Sequence, residues 1–107
     1  MHSDPGLVAR LFDILPDELV PKKMFGGQSW LLNGNFCLGV YKEFLIVRIG
    51  VQAFDDISNE NGVSPMDITG SSMKGWAKID HVGTAEDEDL QKYINLALNF
   101  VKTLPAK

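Results

Sequence analysis

The dipeptide Asn33-Gly34, set between two apolar runs, constrains the fold of this chain more than any other feature. Both residues tolerate positive φ, and the pair is among the strongest short-range signals for a tight hairpin turn. The run Met24 to Leu32 enters the turn and Phe36 to Tyr41 leaves it. A second polar turn, Lys42-Glu43, leads into Phe44 to Ile49, which is rich in β-branched residues and ends at Gly50. Three strands joined this closely predict an antiparallel meander. Period-2 alternation puts Phe36, Leu38 and Val40 on one face of the middle strand, with Cys37, Gly39 and Tyr41 on the other.

Helical patterns flank the meander. From Asp4 to Leu15, residues Leu7, Leu11, Ile14 and Leu15 recur at helical spacing, and Val8 and Phe12 broaden the stripe. Ser3 or Asp4 supplies a cap, Pro5 suits the first turn and Pro16 stops the element. The connector Asp17 to Val20 reads as a turn. Val51 to Ser58 spaces Val51, Phe54 and Ile57 three apart, as in a short helix. Pro65 to Ile68 reads as a short extended piece, Gly70 to Ser72 as a loop, and Gly75 to Val82 alternates like a strand, placed at an edge of the sheet. In the last helix Thr84 is the expected N-cap, with Asp87 three residues on and Glu86 to Asp89 loading the positive end of the dipole. Leu90, Tyr93, Ile94, Ala97, Val101 and Leu104 form its apolar stripe. The expectation is one domain, residues 1–107, of the α+β class. It has a largely antiparallel sheet of about five strands, an N-terminal helix, a short middle helix and a C-terminal helix.

Charge and composition narrow the function. Residues 1–50 carry five Lys/Arg against five Asp/Glu, and residues 51–107 carry five against nine, giving the net charge of −4. A duplex-DNA binder needs a positive face to neutralise phosphate, so direct nucleic-acid binding is disfavoured. The single cysteine, Cys37, excludes an internal disulfide and suits a reducing compartment. No apolar run reaches the ~18 residues needed to span a bilayer, and the N-terminus lacks a signal-peptide pattern. A cytoplasmic protein with no membrane partner is expected.

Chemical constellations are sparse. His2, His81 and Cys37 do not form a metal-ligand set, and Cys37, mid-strand, reads as a buried thiol rather than a nucleophile. Ser71 and Ser72 lie in a glycine-flanked loop with no histidine near in sequence. The run Glu86 to Asp89 lacks the glycine and distal glutamate of a calcium loop. No catalytic residue, cofactor or metal site is therefore assigned. Arg48 is the exception: a lone arginine in Leu45-Ile46-Val47-Arg48-Ile49 must reach solvent, pair with a carboxylate such as Asp67, or hold a ligand.

Two short segments, Lys22-Lys23-Met24-Phe25-Gly26-Gly27 and Met73-Lys74-Gly75-Trp76, each place glycine beside bulky apolar residues and a lysine. Glycine inside a strand marks close backbone approach or a bulge. Met24, Phe25, Met66, Met73 and Trp76 are either core or a soft contact surface. These segments, with Asn33-Gly34, Val47-Arg48-Ile49-Gly50, Pro65-Met66-Asp67 and the closing Phe100 to Pro105, resemble the TfoX N-terminal domain family. The resemblance implies a secretion-chaperone-like α+β fold, often dimeric. Two-domain members are regulators of natural competence (Sxy/TfoX) that act with the cyclic-AMP receptor protein. Their second domain has no counterpart in these 107 residues, so a stand-alone N-terminal domain is expected.

The resulting expectation is a non-enzymatic regulatory or protein-interaction domain, a homodimer with a possible protein partner in transcription regulation. Its interaction residues would be Lys23, Met24, Phe25, Gly26, Gly27, Arg48, Met66, Met73, Lys74, Gly75 and Trp76. The alternative is a small anionic ligand held in a pocket near Arg48, Lys74 and Trp76, where the guanidinium pairs with the anion and the indole supplies stacking area.

Overall fold

The computed structural model describes residues 4–24, 27–67 and 72–106. Its helices are α1 (Pro5–Ile14), α2 (Val51–Ile57), α3 (His81–Thr84) and α4 (Asp87–Val101). Its strands are β1 (Val20–Met24), β2 (Gly27–Leu32), β3 (Asn35–Tyr41), β4 (Phe44–Arg48), β5 (Val63–Asp67) and β6 (Ser72–Ile79). All six strands form one antiparallel sheet in the order β1-β2-β3-β4-β6-β5. The chain is thus a single α+β domain. Asp4 caps α1 by accepting from Gly6 N at 2.9 Å, and Asn33 and Gly34 turn with φ of 54° and 84°, as the sequence predicts.

The helices lie against one side of the sheet. Leu7 and Leu11 of α1, and Leu90, Tyr93, Ile94, Ala97 and Val101 of α4, pack with Trp30, Leu38, Leu45, Val47, Ala77 and Ile79 from the strands. Buried Asn35, just past the hairpin turn, donates to the Pro105 carbonyl at 2.9 Å and ties the C-terminal tail to the sheet.

Several local expectations are corrected. The sheet gains a sixth strand because Met24 to Leu32 is not continuous. Met24 pairs with Gly27, so the first glycine motif is the end of a β1–β2 hairpin, and Val20 belongs to a strand rather than a turn. Phe36 and Leu38 face opposite sides, because Trp30 pairs with Leu38 while its neighbour Leu31 pairs with Phe36. That leaves Cys37 as an extra residue on β3, a bulge that resets the alternation. Ile14 and Phe12 are exposed rather than core.

The strand expected over Gly75 to Val82 instead runs Ser72–Ile79 and lies inside the sheet between β4 and β5. It stops there because the Asp80 carboxylate accepts from Val82 N at 2.9 Å and Gly83 N at 3.4 Å, which starts α3. Thr84 is therefore no N-cap: it closes α3, buried, its hydroxyl donating to the Asp80 carbonyl at 3.4 Å. Glu86 precedes α4 without a side-chain cap, and Asp87, Glu88 and Asp89 occupy the first turn. The true edge strands, β1 and β5, each contain a proline, Pro21 and Pro65.

Between β5 and β6 the register jumps from Pro65↔Ala77 to Met66↔Met73, so Lys74, Gly75 and Trp76 bulge away from β5 while Trp76 stays paired with Arg48. Gly75 (φ +80°) lies against the backbone of Gly50, and its carbonyl accepts from Ile49 N at 2.9 Å and Gly50 N at 3.0 Å. A Cβ on Gly75 would stand 3.1 Å from Gly50 Cα, in a left-handed conformation that costs ~1–2 kcal/mol for other residues. Gly75→Ala should lower the unfolding free energy by about 2 kcal/mol or more in urea titration. Gly6→Ala, where there is room and no positive φ, should leave it unchanged or slightly raised.

Candidate functional site

The side of the sheet opposite the helices carries its own smaller cluster. Period-2 alternation sends Leu45 and Val47 of β4 into the main core and Phe44, Ile46 and Arg48 to this second face. On β6, Ala77 and Ile79 go to the core while Trp76 joins the second face. Phe36, Ile46 and Met66 are buried there, with Met24, Leu31, Tyr41, Phe44 and Trp76 half-buried around them. Among the described residues, no helix residue belongs to this cluster.

Trp76 and Phe36 stack with centroids 4.7 Å apart and planes inclined by 27°. Three cations lie over aromatic rings. The Arg48 guanidinium is 5.4 Å from the centroid of Trp76, Lys78 Nζ is 4.7 Å from that of Phe44, and Lys42 Nζ is 5.5 Å from that of Tyr41. Each such contact contributes about 0.5–1 kcal/mol at a partly exposed site. None of these three cations forms an ion pair among the described residues. The pairing expected between Arg48 and Asp67 involves a side chain outside the described set; the partner the structure gives Arg48 is the indole of Trp76.

The sequence-derived residues divide accordingly. Met24, Arg48, Met66 and Trp76 converge on this face. Lys23 is exposed on β1 opposite Gln28, on the other side of the sheet from Met24. Gly27 is buried where a Cβ would collide with the Val40 carbonyl, so its role is close strand approach. Phe25 and Gly26 lie outside the described residues, as does the side chain of Met73, whose backbone pairs with Met66. Gly75 is structural. Lys74 is exposed and, with Trp76, Val51, Phe54, Asp55 and Pro65, lines a neighbouring groove of about 260 Å³. Arg48 does not line that groove, and Asp55 does, so the cations of the expected anion pocket do not converge.

Sequence reasoning missed Phe36, Tyr41, Phe44, Ile46, Lys42 and Lys78. Reading Phe44-Ile46-Arg48 and Trp76-Lys78 together as one face of adjacent strands would have found three of them. Tyr41 and Phe36 were obscured by the bulge at Cys37.

Three further groups, Cys37, Glu60 and Tyr93, are shifted by their surroundings. Burial pushes the Cys37 thiol up to about 12, against a smaller opposing pull from Arg48, so it is a neutral thiol at physiological pH. Glu60 accepts from Lys92 Nζ at 2.7 Å and from the Tyr93 hydroxyl at 2.6 Å, and these bonds hold its carboxyl below the ordinary range. Burial, and then the bond to Glu60, raises the Tyr93 phenol. Among the described residues no group of three or more His, Cys, Asp or Glu could hold a metal, and no helix is long and apolar enough to cross a membrane.

These features define a class: a small α+β domain with one sheet face sealed by helices and the other formed of half-buried rings and cations. The family model of the TfoX N-terminal domain matches residues 11–101, and the chain belongs to that family. No curated protein and no solved structure shows detectable similarity to it.

Native protein should react with a thiol reagent at neutral pH only as fast as it unfolds, and full labelling before unfolding would contradict the burial of Cys37. Because the folded Glu60 carboxyl titrates below its ordinary value of 4.5, its stabilising effect is complete above that pH and fades as pH falls through the lowered value. Glu60→Gln should therefore lower stability at pH 7 and flatten the acid limb of a stability–pH curve.

Proposed function

We propose that this chain is a non-enzymatic regulatory domain that acts by protein–protein contact at its helix-free sheet face. The process would be transcriptional regulation of the kind linked to DNA-uptake competence, in the cytoplasm. Membership of the TfoX N-terminal domain family supports the regulatory part of this reading. The observation that carries the contact part is the Trp76–Phe36 stack roofed by Arg48, set among half-buried Met24, Leu31 and Phe44. Apolar and aromatic surface beside arginine is the composition of interface centres.

Homodimerisation belongs to the same proposal. Phe12 and Val20 are 54% and 59% exposed, and Phe12 meets Trp30 edge-on at 5.2 Å beside a groove of about 240 Å³ that includes Leu15, Asp17, Leu19 and Pro21. A self-complementary contact at this corner would cover them. The competing reading, a small anion held by Arg48, Lys74 and Trp76, is weakened by the position of Arg48 outside the groove that the other two line.

Light scattering should give a dimer mass that falls to the monomer mass in Phe12→Ser. Tagged protein should retain a partner from native lysate and lose it on Trp76→Ala without loss of secondary structure. Retention unaffected by Trp76→Ala would reject the face as the contact surface.

A further inference from the structure

The charges of this domain are sorted by layer. The three described ion pairs, Arg10–Asp87, Lys92–Glu60 and Lys102–Glu18, all belong to helices and the loops beside them. On or beside the helix-free face stand Lys22, Lys42, Arg48 and Lys78, with no ion pair among the described residues. Among the described residues the carboxylates near the sheet include Asp55, which lines the groove beside Trp76, and Glu43, which lines a groove on the helix side with Asp4, Arg10 and His81. A chain of net charge −4 therefore turns a basic face outward. The register pairs Ile46 with Lys78 and Arg48 with Trp76, which sets the two cations on a diagonal across adjacent strands. Gathered like charges repel and work against folding. Roofing the rings explains why each cation sits where it does, but not why no described carboxylate pairs with Arg48, Lys78 or Lys42.

We propose that the helix-free face docks an acidic polypeptide segment in which carboxylates alternate with aromatic or aliphatic side chains. This rests on reading that face as a protein-contact surface and supplies the chemistry of the partner. Carboxylates would pair with Arg48 and Lys78, the arginine offering a two-pronged hydrogen bond. The apolar side chains would settle on the half-buried Trp76, Phe44 and Leu31. The alternative occupants fit less well. A second copy presenting this same face would set Arg48 and Lys78 against their own like charges. Single-stranded nucleic acid needs bare ring faces for base stacking, and here a cation stands over each of Trp76, Phe44 and Tyr41. The aliphatic and thioether surface of Leu31 and Met24 suits apolar side chains better than bases.

The test is fluorescence anisotropy with three labelled probes. They are a 16-residue peptide of repeated Asp-Glu-Phe-Glu, the same peptide with lysine in place of every acid, and a 20-nucleotide oligothymidylate. The acidic peptide should bind, more weakly as salt rises from about 50 to about 200 mM. Arg48→Ala and Lys78→Ala should each weaken it about tenfold, the loss expected for one charge-assisted contact. Lys92→Ala, on the helix side, should change nothing, and thermal melts should show each variant folded. The basic peptide should not bind. Absent binding of the acidic peptide, wild-type affinity in both cation variants, or tighter binding of oligothymidylate each overturns the proposal. If Trp76→Ala abolishes partner retention from lysate while Arg48→Ala and Lys78→Ala do not, the acidic chemistry fails and the contact surface stands. If none of the three affects retention, both fall.

Discussion

The contact between two glycine backbones, Gly50 and Gly75, is the constraint from which the rest of the architecture follows. The Gly75 carbonyl takes the amides of both Ile49 and Gly50, so the end of β4 and the entry to α2 hang from one oxygen. Gly50 has no room for a side chain either, because a Cβ there would stand 2.6 Å from the Phe100 ring. Sheet, corner and C-terminal helix are thus stacked through two positions that lack a Cβ. The bulge that brings Gly75 to this corner also pairs Trp76 with Arg48, so a close backbone contact and the cation–ring contact share two adjacent residues.

The two faces of the sheet are stabilised by different physics. The helix side buries a broad aliphatic core, where apolar area removed from water supplies most of the favourable free energy. The other side buries Phe36, Ile46 and Met66 and leaves the rings of Tyr41, Phe44 and Trp76 half in water. Long cationic side chains complete the covering there, their stems lying on apolar surface while their charged ends stay hydrated. Such a layer is stable in an isolated domain, yet a partner that offers better contacts can displace it.

Much of this was legible in the sequence, for reasons that differ by element. Asn33-Gly34 specified its hairpin because few other dipeptides accept two positive φ values. The α4 stripe was legible because fifteen residues give four turns of periodic signal. The β1–β2 hairpin was hidden inside an apparent single run, since the glycine pair in that run fits a bulge as well as a turn. Asp80 concealed the end of β6 because an aspartate fits both an alternating strand and a helix cap, and only the tertiary fold decides between them. The site was half legible. Glycine and methionine marked segments that meet on the helix-free face, but the inserted Cys37 shifted Phe36 to the opposite face from Leu38, and period-2 counting cannot see an insertion. The cation–ring pairs join separate strands, so no single run of sequence contained them.

Proline at both rims has a consequence for the life of this chain in a crowded solution. A strand with unpaired amides invites further strands, and a sheet open at both sides can in principle grow without limit. Pro21 and Pro65 remove a donor from each rim, so an arriving strand finds a broken ladder on either side. The same gaps are present while the chain is still folding, when its rims are least shielded. The domain therefore carries built-in protection against runaway cross-β stacking, leaving its broad surface free to be sticky at little risk of polymerisation.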